Sequence, residues 1–144
     1  MAQISAETLG RLRETVWPAL EAGYDLPMGL LNSIATWETR GTFRDETGAA
    51  GGRGIFQLTP IALEQVRRDV GVNFDPSNAY SASTAAAILL SRYFKIFTHP
   101  SLVVAAYNWG EGNVKKLLRT IATQGRGTMP LETRQYIVNT IGMI

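Results

Sequence analysis

Cysteine is absent from all 144 residues, so the chain can form neither a disulfide framework nor a thiolate metal site. Histidine occurs once, as His99 before Pro100, and without a second base of that kind a triad hydrolase is not expected. Long apolar runs are also missing. The longest, Ala85 to Leu90, falls far short of membrane-spanning length and reads as a buried helix segment. Glu7, Arg11, Arg13 and Glu14 interrupt the first twenty residues, which therefore lack the unbroken apolar centre of a secretory leader. Acidic residues become scarce towards the C-terminus. Residues 1–75 carry ten acids and seven bases, whereas residues 76–144 carry seven bases and only two acids, Glu111 and Glu132. Such a basic half suits an anionic polymer or surface, or else a solvated helix face with Lys115, Lys116 and Arg119 pointing outward. Net charge is only +2 and no basic cluster is interleaved with aromatics, so a nucleic-acid partner is not expected.

What is present describes one helical domain spanning residues 1–144. The apolar fraction of 45% and charged fraction of 18% are those of an ordinary globular protein, and the length supports a single core. Ser5 caps a first helix with the stripe Leu9, Leu12, Val16 and Leu20, which Pro18 kinks or ends. Pro27 opens a second helix and Gly41 stops it. The run from Gly48 to Gly54 is too rich in glycine for a helix, and residues 42–58 hold at most a small hairpin. Thr59 and Pro60 start a third helix to about Asp69, and Ser81 or Ser83 caps a long apolar one through Phe97. Ser101 caps the next, Asn113 to about Ile121 forms a basic amphipathic helix, and Leu131 to Met143 closes the chain with Ile137, Val138 and Ile141 inward. About seven helices result.

Glu38 breaks the pattern in the second helix. Leu30, Leu31, Ile34 and Trp37 share one helical stripe, and Glu38, four residues after Ile34 and seven after Leu31, falls inside it. Withdrawing a carboxyl from water raises its pKa, so that it stays protonated near neutrality and can deliver a proton to a leaving group. That is the tool of a sugar-cleaving enzyme. The alternative is a carboxylate turned to solvent or paired with Arg40 or Arg44.

Three further pieces accompany Glu38 and Thr39: Gly51 to Gln57, Ala105 to Val114, and Met129 to Tyr136. Phe56, Gln57, Tyr107, Asn108 and Trp109 offer the flat surfaces, amides and hydroxyls that hold glycans, and Gly51, Gly52 and Gly54 allow backbone to come close to a bulky polymer. Core packing remains open for Tyr107 and Trp109, a turn role for Gln57, and a helix-start role for Glu132.

In order and spacing the four pieces resemble the soluble lytic transglycosylase family, from about Leu26 to Ile141. The resemblance implies a mainly α, lysozyme-like α+β fold around a glycan cleft, with Glu38 as the catalytic acid and Thr39 in place of the family's serine. The family's glycine, two hydrophobics and glutamine match Gly54, Ile55, Phe56 and Gln57, with phenylalanine where methionine is commoner. Its alanine, tyrosine, asparagine signature matches Ala106, Tyr107 and Asn108, with Trp109 where a small residue is usual; its proline, glutamate and closing tyrosine match Pro130, Glu132 and Tyr136. Thr39, Gly54, Phe56, Gln57, Tyr107, Asn108, Trp109, Glu132 and Tyr136 are thereby expected to bind substrate.

The implied activity is non-hydrolytic cleavage of the bond between N-acetylmuramic acid and N-acetylglucosamine in peptidoglycan, leaving 1,6-anhydro ends, with Glu38 as acid and then base. No metal or organic cofactor is required. A lysozyme-type hydrolase using Asp45 or Glu46 as second carboxylate is the rival, and a non-catalytic peptidoglycan-binding module the third reading. The expected setting is a monomer without stable membrane insertion, made in a bacterial host cytoplasm, encoded by a phage, and acting on the periplasmic wall or carried on the virion.

Overall fold

Helix periodicity and capping chemistry account for most of the architecture. The computed structural model describes residues 3–48 and 50–144; Met1, Ala2 and Ala49 of the glycine-rich loop lie outside it. Helix α1 is continuous through Ala6–Arg11, Leu12–Val16 and Trp17–Gly23, with the Ser5 hydroxyl accepting the Thr8 N–H as expected. Pro18 neither ends it nor stands alone as a break. It has no N–H to offer, and the turn before it widens so that Trp17 N–H reaches the Leu12 carbonyl, a π-turn that carries the helix past the proline.

The second helix, α2 (Leu30–Thr39), starts three residues later than Pro27 suggests. Its cap is not local. Both carboxyl oxygens of Glu21, 2% exposed in α1, accept backbone N–H groups at the start of α2, from Gly29 at 3.1 Å and Leu31 at 2.8 Å. The far end turns on Arg40 and Gly41, both at positive φ, where Gly41 N–H closes onto the Thr36 carbonyl.

The described residues of 42–58 form no strand ladder; isolated bridges join Thr47 to Arg53 and Arg53 to Leu58. The loop is held from inside. Gly54 has φ 76°, and a Cβ there would stand 1.8 Å from the Pro76 carbonyl oxygen, so only glycine fits.

Helix α3 (Pro60–Val70) is capped by Thr59 as expected. For α4 (Ala79–Phe97) the cap is Asn78, whose side chain accepts from Tyr80 and Ser81 N–H, rather than Ser81 or Ser83. Ser83 is buried instead and accepts the indole N–H of Trp17 at 2.8 Å. The alanine-rich centre of α4 lets its neighbours approach closely, and Ala82, Ala85, Ala86, Ala87 and Leu90 are all buried. His99, not Ser101, caps α5 (Pro100–Trp109), its Nδ1 accepting the Ser101 N–H.

Helix α6 runs Glu111–Gln124 and so begins two residues ahead of Asn113, because Gly110 alone makes the break (φ 105°, ψ 143°) and Gly112 stays helical. Arg92 of α4 bridges Glu111 and Asp69, tying α6 and α3 to the central helix. In α7 (Leu131–Gly142) the buried residues are Thr133 and Thr140, with Ile137 and Ile141 partly covered. Val138, expected inward, is 70% exposed. The Ser33 hydroxyl donates to the Thr140 carbonyl at 2.6 Å, joining α2 to α7 across the core.

Candidate active site

Among the described residues, seven helices meeting this way leave a large cleft at the C-terminal end of α2, about 890 Å3 in volume. One side comes from α2 and its turn, with Thr36, Trp37, Glu38, Arg40 and Gly41; the glycine-rich segment supplies Glu46, Gly48, Ala50, Gly52, Gln57 and Thr59. Tyr107 and Asn108 enter from α5, and Glu132, Gln135, Tyr136 and Asn139 from α7.

Glu38 sits where the apolar stripe of α2 meets this cleft, half-buried, with its Oε2 accepting the Tyr136 hydroxyl at 2.7 Å. Among the described residues neither Arg40 nor Arg44 forms an ion pair with it. Burial pushes its pKa up to about 7; the Tyr136 hydrogen bond pulls it down by a smaller amount, and the like charge of Glu132 adds to the rise. A carboxyl so placed exchanges its proton around neutrality. Tyr107 and Tyr136 are both held well above the usual tyrosine range, chiefly by burial and then by the nearby Glu38 charge, so their hydroxyls remain donors.

The other expected residues divide by exposure. Tyr107 lines the cleft while its hydroxyl donates to the Phe56 carbonyl at 2.7 Å, which pins the loop to α5. Gln57 lines it too, at φ 49°, with its amide N–H2 donating to the carbonyls of Glu46 and Gly54. It holds the loop in shape from within, and a Cβ on Gly48 would meet its Oε1 at 2.1 Å. Asn108 accepts the Thr133 hydroxyl at 2.9 Å, so α5 and α7 are locked together beside Glu38. Glu132 lies exposed in the first turn of α7, fitting a helix-start role while also lining the cleft.

Four expected binding residues do not line the cleft. Phe56 is 0% exposed, with its ring edge-on to Trp17 at 5.8 Å, and cannot offer a face to a sugar. Thr39 is 4% exposed; its hydroxyl donates to the Ala35 carbonyl and accepts the Phe43 N–H, which makes it the C-terminal fastening of α2. Gly54 is buried against Pro76, so its lack of a side chain serves a chain crossing rather than a ligand. Trp109 packs partly buried against the core, away from the cleft.

Sequence reasoning also missed residues. Trp37, read as core, is 39% exposed in the cleft, because the covered face of α2 is Leu30, Leu31, Ile34 and Ala35 and Trp37 falls beside it. Gln135 and Asn139 were legible only through Tyr136, which they flank at helical spacing. Glu21 carried no local signal at all. Of the rival carboxylates, Glu46 lines the cleft and Asp45 does not.

The two influences on Glu38 can be separated by carboxyl 13C NMR titration. Tyr136→Phe removes a bond that lowers the pKa, so the midpoint should rise above that of the parent; Glu132→Gln removes a like charge, so it should fall. Shifts of the same sign in both variants would contradict this arrangement.

The membrane-bound lytic murein transglycosylase D of Escherichia coli is 36% identical over 104 residues, covering 63% of this chain and 22% of that protein. In solved structures, an inactive mutant of the lytic transglycosylase Slt from Pseudomonas aeruginosa has a TM-score of 0.74 at 21% identity, covering 92% of this chain and 23% of that one. The 70 kDa soluble lytic transglycosylase of Escherichia coli gives 0.73 at 20% identity, covering 89% and 22%. The mainly helical fold is thus shared with part of these Slt chains, and the chain spans less than a quarter of the length of these relatives. The family model described as Transglycosylase SLT domain matches residues 15–128, and the chain belongs to that family.

Proposed function

We propose that the chain is a peptidoglycan lytic transglycosylase in which Glu38 performs both proton transfers. The observation that carries this is a half-buried carboxyl, its pKa pushed up to about 7, set in an open cleft and oriented by one tyrosine. Family membership and the names of the relatives support the same reading.

The steps follow from what Glu38 touches. Tyr136 occupies Oε2 and leaves Oε1 to hold the exchangeable proton. That proton passes to the glycosidic oxygen as the bond from the muramyl anomeric carbon to this oxygen breaks, with the substrate's own acetamido group supporting the positive carbon. The muramyl 6-hydroxyl oxygen then bonds to the anomeric carbon, and its proton returns to the Glu38 carboxylate. No water is consumed and Glu38 ends as it began. A pKa near the working pH suits one group to both tasks. Because charge on Glu38 appears and disappears within a turnover, the neutral Tyr136 donor is a better partner than an arginine, which would hold the carboxylate ionised.

The hydrolase reading has one observation in its favour, the presence of Glu46 in the cleft. Mass spectrometry of muropeptides released from purified sacculi separates the readings. Anhydro ends, retained in Asp45→Ala and Glu46→Ala, are expected; reducing ends lost with Glu46→Ala would establish a hydrolase, and no release would leave a binding module. The substrate puts the place of action at the cell wall. No described helix is long and apolar enough to cross a membrane. A phage-borne role as endolysin or virion component would be tested by fractionating infected cells and purified particles.

A further inference from the structure

We propose that Trp37, together with Gln135 and Asn139 of α7, forms a saccharide subsite beside Glu38, the indole taking the flat face of an N-acetylated sugar and the two amides its polar substituents. This rests on the glycan-cleaving reading above and names where the chain holds the polymer.

The starting point is an aromatic ring that folding does not use. Trp37 is 39% exposed although it lies on the helix whose Leu30, Leu31 and Ile34 form the centre of the core. Trp17, by contrast, is 1% exposed and spends its indole N–H on Ser83. Among the described residues nothing accepts from the N–H of Trp37, and the exposed residue lines the cleft. The aromatics expected to stack on sugar are otherwise engaged: Phe56 is core, Trp109 lies elsewhere, and Tyr107 and Tyr136 spend their hydroxyls on Phe56 and Glu38. Trp37 is what remains to supply a broad apolar surface.

The position suits the chemistry. Trp37 precedes Glu38 by one residue, about 100° around α2, so the ring flanks the acid. On α7 the residue touching Glu38 is Tyr136, and Gln135 and Asn139 lie one before and three after it, in the same cleft. These two amides are also the ridge shared with a second recess of about 450 Å3, lined otherwise by Arg134 and Val138. An extended polymer crossing that ridge would meet both recesses. An apolar ring with a few amides arranged around it is the ordinary make-up of a carbohydrate pocket.

Binding is tested in Glu38→Gln protein, which holds substrate without cleaving it, using the β-1,4-linked N-acetylglucosamine tetramer and intrinsic tryptophan fluorescence. Titration should perturb emission, and adding Trp37→Leu should remove that change and weaken binding about tenfold, roughly 1.4 kcal/mol. Trp37→Tyr, which keeps a flat ring, should restore binding to within about threefold. In the active enzyme, Trp37→Leu should raise KM for soluble glycan strands about tenfold with kcat within about twofold and the alkaline limb of kcat unmoved. Tetramer affinity within twofold of the parent, a fall in kcat at constant KM, or a displaced alkaline limb would each overturn the subsite; the last two would make Trp37 a positioning residue for Glu38. The glycan-cleaving reading fails separately, by absence of muropeptide release from the parent or by full cleavage in Glu38→Gln.

Discussion

Glu38→Gln is expected to lower glycan cleavage by about a thousandfold or more, the scale of a lost general acid, while making the folded protein more stable at neutral and alkaline pH. The two effects have one cause. In the folded state burial raises this pKa from 4.5 to about 7, so between those values the folded chain holds a proton that the unfolded chain has released. The contribution of Glu38 is therefore fully favourable below pH 4.5 and is lost as pH rises through about 7. At 1.36 kcal/mol per pKa unit the loss reaches about 3 kcal/mol above that point. Glutamine keeps the shape and cannot ionise, so the variant should unfold at higher urea than the parent at pH 8, and at equal urea at pH 4. A variant no more stable than the parent at pH 8 would mean that Glu38 ionises as a surface acid does, and its assignment as proton donor would fall with that result.

Glu21→Ala is expected to be the most damaging single substitution outside the cleft. The carboxyl is almost fully buried and accepts two backbone N–H groups that begin the helix ending in Glu38. Removing it leaves two buried donors unsatisfied, at about 1 to 3 kcal/mol each, and opens a cavity. A loss of about 3 to 5 kcal/mol is a large share of ordinary domain stability, and the melting temperature should fall by about 10 °C or more. Glu21→Gln retains one acceptor and should lose less. Activity should suffer too, because α2 is the lever that sets Glu38 against Tyr136. A Glu21→Ala protein that melts with the parent would show that water serves those N–H groups equally well.

Most of the helices were legible because periodicity and capping are local. Ser5 and Thr59 act at the positions their spacing indicates, and the glycine-rich stretch is irregular. Boundaries went astray where another residue within a few positions could do the same capping job. Asn78 displaces Ser81, and His99 displaces Ser101, since any side chain with an acceptor at the right distance competes for the same N–H groups. The start of α2 was illegible for a different reason: its cap comes from the preceding helix.

The site shows the same division. Of the residues that the motifs single out, Glu38, Gln57, Tyr107, Asn108, Glu132 and Tyr136 line the cleft. Phe56 and Trp37 exchanged places between cleft and core. The sequence records that both are large and apolar, but an aromatic ring is equally suited to a core and to a sugar, and its own neighbours do not decide between them. Phe56 is inside because Trp17 and the Tyr107 hydroxyl draw its segment down, and Trp37 is outside because α2 turns Leu30, Leu31, Ile34 and Ala35 to the core and leaves Trp37 at the cleft.

By itself, then, the sequence determined a helical chain and an acid on the margin of an apolar stripe, since both follow from a 3.6-residue period acting within one helix. Only the tertiary structure decided that this acid is half-buried, pairs with no arginine among the described residues and meets a tyrosine 98 residues away. The reason is that burial and partnership depend on which surfaces pack over a residue, and packing is settled between helices rather than within them.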